Sequence, residues 1–344
     1  MSVLVTGASG LVGSHVVTAL TARGEPVRAL VLPASRDAVE RLGAEAVVGD
    51  VTDPAAWEAA ALGVRAIVHA AAIVQRRASW ERYVAVNVDG TRLAVAAARA
   101  AGARLIHISS VAVYGGSAAY PTTRQRRDED YPFQPIVETD FYARSKRMAE
   151  SVVREAGMGR EVEAVAVRPT VIYGERDRMF TPRVIRAARL RILPRIGPGT
   201  NRLSVVYAGN VAAAVLAALD ARARGGGGFR AYNVTGDGPP ALTQQEFLGA
   251  FAAALGWRCW SIPIPARLAG VVMRLFTNRR LARAGVGFIS GDNPYSDDLI
   301  YAELSWRPPT PAPEAIRRTV AWFLKDERPE TWSRASSQRR AGRA

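Results

Sequence analysis

The 344-residue chain is 49% hydrophobic and 22% charged, which suffices for one large domain or two smaller ones with a packed core. Its single cysteine, Cys259, and its three histidines, His15, His69 and His107, are too few and too scattered for a disulfide framework or a Cys/His metal centre. The formal charge of +15 raises a nucleic-acid reading, but lysine supplies only Lys146 and Lys325, and the arginines are spread along the chain with acids between them; that is a solvated basic surface, not a binding stripe.

No apolar run reaches membrane-spanning length. The first predicted strand begins at residue 2, which leaves no room for a signal peptide. A soluble, reducing, cytoplasmic setting is the expectation, with no nucleic-acid partner.

Ser2–Thr6 (SVLVT) is a short β-branched run and reads as a buried strand. Gly7-Ala8-Ser9-Gly10-Leu11-Val12-Gly13 follows, and Ser14–Leu20 then has helical apolar spacing. A strand turning through glycines into a helix makes a dinucleotide site. Gly7 allows the tight turn, Gly10 lets backbone approach a pyrophosphate, and Gly13 lets helix and strand pack closely. The free N–H groups of the helix start face the phosphates. The spacing is GxxGxxG.

Val27–Leu32 is the second predicted strand, Val47–Val51 the third after a helical stretch at Asp37–Leu42, and Ala66–Ala72 the fourth. Trp80–Ala101 reads as a long helical segment, Arg104–Ser109 as the fifth strand, Met148–Glu155 as a continuing helix and Ala164–Val167 as the sixth strand. Strands alternating with helices predict a doubly wound parallel sheet, whose ligands sit beyond the carboxyl ends of its strands. After the second strand, Val31 to Arg36 contain no acid for a ribose 2′-hydroxyl. Ser35 and Arg36, with Arg28 nearby in sequence, suit a 2′-phosphate instead, which favours NADP; Arg36 as one more surface arginine is the alternative. Asp50, after the third strand, suits an adenine amino group or a turn before Asp53-Pro54. The small side chains Ala70, Ala71 and Ala72 leave room for a cofactor backbone, and His69 reads as a core histidine.

Ser109-Ser110 close the fifth strand, and Tyr142-Ala143-Arg144-Ser145-Lys146 is the chain's only YxxxK. Four residues is about one helical turn, so Tyr142 and Lys146 share a face. One of just two lysines stands here, in a role arginine cannot fill. A compact ammonium bonds ribose hydroxyls and lowers the pKa of a neighbouring phenol. Tyr142 can then act as general acid or base, while Ser110 polarises the substrate oxygen.

In order, TGASGLVGSHV, GDVTD, HAAA, Asn87 in VNVDGT, SSVAVYG, YARSK and RPTVIYG resemble the extended short-chain dehydrogenases/reductases, the NAD(P)-dependent epimerase/dehydratase group, over roughly residues 2–325. The resemblance implies a Rossmann α/β fold with a smaller C-terminal substrate-binding lobe. It implies Ser110, Tyr142 and Lys146 as the catalytic trio. It implies cofactor contacts at Gly7, Ser9, Gly10, Leu11, Val12, Asp50, Val51, Ala70 to Ala72, Tyr142, Lys146 and Pro169, with Asn87 tying the sheet edge to the active-site loop. A homodimer paired through helices flanking the site is a common arrangement of the family.

The expected division places the NAD(P)-binding domain at 1–175, with 203–236 returning to it. The substrate lobe takes 176–202 and 237–325, and a disordered tail takes 326–344. Within these, Arg178–Ile196 reads as basic helix, Leu203–Tyr207 as strand, Gly225–Gly228 as a flexible link and Arg230–Val234 as the last strand of the cofactor sheet. Glu246–Leu255 and the end of Ile300–Leu324 read as helices. Arg178, Arg183 and Arg202 are candidates for a substrate diphosphate, or solvated surface. VVYAGNVAAAV and YNVTGDGPPALT resemble the 3β-hydroxysteroid dehydrogenase branch. The apolar run Ile262–Phe276 reads as a core-packing helix, a roof over an apolar pocket or a membrane-surface contact. Three functions stay open: hydride transfer between nicotinamide and a secondary alcohol or ketone, transient use of held NAD(P) by a sugar-nucleotide epimerase or dehydratase, and a non-catalytic NAD(P)-binding module.

Overall fold

The computed structural model describes residues 1–74, 78–115, 126–221, 228–239, 241–274, 286–287 and 289–325. The predicted tail 326–344 and all of the predicted link 225–228 but Gly228 lie outside the described residues. The strands are β1 (Ser2–Thr6), β2 (Val27–Val31), β3 (Glu45–Val48), β4 (Val64–His69), β5 (Arg104–Ile108), β6 (Glu163–Pro169), β7 (Val171–Tyr173), β8 (Ile192–Ile196), β9 (Val205–Tyr207), β10 (Gly228–Val234) and β11 (Trp260–Ile264). Seven of them form one parallel sheet in the order β10-β6-β5-β4-β1-β2-β3. The remaining four make two parallel pairs, β8 with β11 and β7 with β9.

The helices that matter below are α1 (Leu11–Ala22), α2 (Arg36–Glu40), α3 (Pro54–Ala61), α4 (Trp80–Tyr83), α5 (Gly90–Ala101), α6 (Phe141–Met158), α7 (Thr181–Arg189), α8 (Ala208–Asp220) and α9 (Gln244–Ala254). Side chains alternate between the two faces of the sheet, and helices cover both, so both faces are buried. Val3 and Val5 of β1 join one core with α1 and α8 residues such as Val16 and Val215. Leu4 joins the opposite core with Trp57 of α3, Ala94 of α5 and Val153 of α6. A third core, around Tyr173, Leu193, Phe247, Phe251 and Ile316, lies beyond the sheet. No helix among the described residues is long and apolar enough to cross a membrane.

Four readings depart from the structure in detail. Ile262–Phe276 is not a single core-packing helix: residues 262–264 belong to β11, Ala266–Arg274 are helical with Leu268 and Val271 exposed, and residues 275–276 lie outside the described residues. Trp80–Ala101 is helical throughout, but not all α: a π-helical turn, Val84–Asp89, separates α4 from α5. Its Asn87 amide is held by a neighbouring loop, as described below. Arg178–Ile196 is helical only over α7, and Ile192–Ile196 is a strand. Pro194 there cannot continue a helix, whose hydrogen-bond ladder needs its missing N–H. β3 ends at Val48 rather than Val51, so Asp50 stands in the following turn.

Candidate active site

β1 leads into the glycine elbow. Gly7 has φ +65, which only glycine adopts without strain, and an added Cβ would stand 2.7 Å from the backbone of Ala70 and Ala71. A Cβ on Gly13 would stand 2.2 Å from the Gly7 carbonyl oxygen, so helix and strand close on each other only through glycine. Gly10 is the N-cap of α1; no side chain caps this helix and its first turn holds no acid. The N–H groups of Leu11, Val12 and Gly13 therefore begin an uncapped helix with its positive dipole end outward. This cradle fits an anion such as a dinucleotide pyrophosphate. Beside it, Ser9 Oγ donates to Ser35 Oγ at 3.0 Å.

A second positive group at the elbow was not legible in the sequence. Arg176 Nε donates to Ser14 Oγ of α1 at 2.8 Å across 162 residues. Arg176 sits at φ +68, a costly conformation for a non-glycine residue. Next to it, Glu175 accepts from Tyr207 OH at 2.9 Å and pairs with His15 Nε2 at 3.1 Å. Only the fold brings this loop after β7 to α1.

The predicted trio converges at the carboxyl end of β5. Ser110 is buried, and its hydroxyl accepts from Ala112 N at 3.1 Å, capping a short 3₁₀ turn. The Tyr142 phenol is half-buried at the start of α6, with the Ser110 hydroxyl as its polar neighbour. One turn along, the buried Lys146 ammonium donates to the Ile108 carbonyl. Burial pulls Lys146 down to about 8, partly opposed by Glu150. Burial pushes the Tyr142 phenol up, and the neighbouring Ser110 hydroxyl works against that.

The neighbouring Ser109 takes another path. Its hydroxyl donates to Glu150, whose carboxylate also receives the wholly buried Arg168 guanidinium. Arg168 Nη1 donates to Tyr114 OH at 2.8 Å, and Tyr114 OH donates to Asn233 Oδ1 at 2.9 Å. Asn87 ties the loop after β4 to α6: Oδ1 accepts from Ile73 N at 2.7 Å, and Nδ2 donates to Ile73 O at 3.1 Å and Ser145 Oγ at 3.0 Å. A π-turn at such a hub is a common functional device. His69 is a core histidine, as read, bonded to Thr6 at 2.8 Å and Thr91 at 3.1 Å. Burial, with Lys146 nearby, holds it down to about 3.

The other candidates separate. Ala70 and Ala71 lie against Gly7, and Ala71 N donates to Thr6 Oγ1 at 3.2 Å; Ala72 precedes the loop that Asn87 holds. Pro169 ends β6 opposite Val234. Asp50 Oδ1 accepts from Thr52 N and Oγ1, each at 3.0 Å, a turn-forming bond. Val51 O accepts from Trp57 Nε1 at 2.9 Å. Arg36 is exposed and pairs with Glu40 at 2.9 Å. Arg28 is taken away from any ribose: it pairs with Glu45 and donates to the Ala60 and Leu62 carbonyls. Its place near the amino end of β2 is the reason. Arg202 donates to the Ala241 carbonyl, while Arg178 and Arg183 are exposed.

A model of the NAD dependent epimerase/dehydratase family matches residues 3–235. The chain is 32% identical over 258 residues to a 2-alkyl-3-oxoalkanoate reductase of Stenotrophomonas maltophilia, covering 74% of this chain and 76% of that protein. It is 33% identical over 286 residues to the 3 beta-hydroxysteroid dehydrogenase type 7 of Homo sapiens, covering 74% and 73%. A solved short-chain dehydrogenase/reductase superfamily protein from Agrobacterium tumefaciens with bound NAD superposes with a TM-score of 0.67 at 25% identity, over 99% of this chain and 100% of that one.

Proposed function

The chain belongs to the NAD dependent epimerase/dehydratase family, and from that premise we propose that it interconverts a secondary alcohol and a ketone on an apolar substrate. The observation that carries this reading is that Ser110 and Lys146 are buried and fixed at the carboxyl end of β5, by Ala112 N and the Ile108 carbonyl, with Tyr142 one turn from Lys146 and the uncapped glycine elbow beside them. A bound nicotinamide dinucleotide supplies the hydride acceptor or donor. Gly7, Ser9, Gly10, Leu11 and Val12 would hold its pyrophosphate, with Arg176 adding positive charge. Ala70 to Ala72, Asp50, Val51 and Pro169 would border the rest of it.

Tyr142 would pass the proton at the substrate oxygen, and Ser110 would hold that oxygen in line. Lys146, a compact cation, would bond the ribose and favour the phenolate. Segments 176–202 and 237–325 would supply the substrate lobe. The apolar class is favoured because the two relatives are named for an alkyl oxo acid and a hydroxysteroid. NADP is favoured because residues 31–36 lack an acid and present Ser35 and Arg36, although Arg36 must leave Glu40 to meet a phosphate.

Tyr142→Phe tests the mechanism. Turnover of alcohol/ketone pairs should fall about 10²–10⁴-fold while dinucleotide binding persists, and initial rates with NADPH and NADH settle the preference. Unchanged turnover in that variant would remove the proposed proton path. The family description also favours a second reading, transient use of held cofactor. Cofactor that co-purifies, with no net NAD(P)H change during turnover, separates it from the first.

A further inference from the structure

The β8–β11 pair turns large apolar side chains to solvent. Ile192 lies opposite Trp260, and Pro194 opposite Ile262. Paired residues of neighbouring strands project to the same side, so these four share one face. Leu193, between them in sequence, points the other way into the third core. Trp260 is 79% exposed, Ile262 43% and Ile192 42%. The helix Ala266–Arg274 follows β11 after Pro265, and its Leu268 and Val271, one turn apart, are each 54% exposed. Single exposed apolar residues are ordinary; a cluster of this size marks a contact surface.

Charge identifies the contact. Residues 178–219 and 247–291 contain no aspartate or glutamate. Arg258, two residues before Trp260, and Arg267, beside Leu268, are both exposed. A second copy meeting this face about a two-fold axis would set arginine against arginine. An anionic bilayer surface satisfies both features: headgroups meet the arginines, and the acyl boundary receives the tryptophan and aliphatic side chains.

We propose that the β8–β11 face and the helix after it dock on an anionic lipid surface, lying on the bilayer without crossing it. This goes beyond the redox reading and is measured without turnover. The full chain should sediment with vesicles of phosphatidylcholine mixed with phosphatidylglycerol, much less with phosphatidylcholine alone, and should be released by salt. Trp260→Ser combined with Leu268→Ser should weaken partitioning about tenfold or more. Arg258→Ala and Arg267→Ala should each cost about fivefold. Trp260→Phe should keep binding but lose much of the fluorescence quenching by brominated lipid. All substituted positions are solvent-facing, so melting curves matching the parent confirm that the variants fold.

Three results would overturn the proposal. One is failure to sediment with the phosphatidylglycerol vesicles. Another is equal partitioning of the parent and the Trp260→Ser/Leu268→Ser variant. The third is a concentration-dependent dimer that these same substitutions abolish, which would mean that a second copy covers the face.

Discussion

Lys146→Met replaces a buried ammonium with an apolar chain of similar length, and its effect on stability should depend on pH in a specified direction. Lys146 titrates near 10.4 in an unfolded chain but is held down to about 8 in the fold by burial. A base whose folded pKa is depressed costs stability while it is charged. Below about 8 both states carry the proton and the full penalty applies. Between 8 and 10.4 the unfolded chain binds more protons, so stability rises with pH. Integrated from pH 7 to pH 10, this group alone should add about 2.5 kcal/mol to the parent.

Met cannot titrate. The parent's stability minus the variant's, from urea melts at several pH values, should therefore climb by about that amount as pH rises, other groups cancelling in the difference. The absolute offset also contains the Ile108 carbonyl, which loses its donor at a cost of about 1–3 kcal/mol. The pH-dependent part is free of that cost. A difference that stays flat from pH 7 to 10 would refute the claim that the ammonium is buried and desolvated. The same variant should lose turnover with the dinucleotide.

Gly13→Ala should cost about 1–3 kcal/mol and abolish dinucleotide binding, because its Cβ would fall 2.2 Å from the Gly7 oxygen. Gly249→Ala, in the interior of α9 with open space around it, should gain up to about 1 kcal/mol; thermal melts compare the two. Glu150→Gln should destabilise by about 3–5 kcal/mol in urea melts, since it leaves the wholly buried Arg168 without a counter-charge. A loss below about 1 kcal/mol would show that another group neutralises that guanidinium.

Period and punctuation carried much of the fold. The strand–glycine–helix opening, the small residues after β4 and the YxxxK spacing are local patterns, and each lands at the sheet's carboxyl edge as read. The failures were of two kinds. Pro194 stands in the sequence and forbids a helix running through Arg178–Ile196. The π-turn at Val84–Asp89 leaves no mark in the apolar spacing, and the partners of its Asn87, Ile73 and Ser145, are set by the fold.

Two adjacent serines mark the boundary between these kinds of knowledge. Local chemistry placed Ser109-Ser110 at a strand end and Lys146 one turn from Tyr142, since backbone periodicity needs no distant partner. Packing then sent Ser109 to Glu150 and left Ser110 to cap the turn at Ala112, and set Arg176 against Ser14. Burial, hydrogen-bond pairing and charge balance depend on which distant segments meet, and that information exists only once the chain has folded.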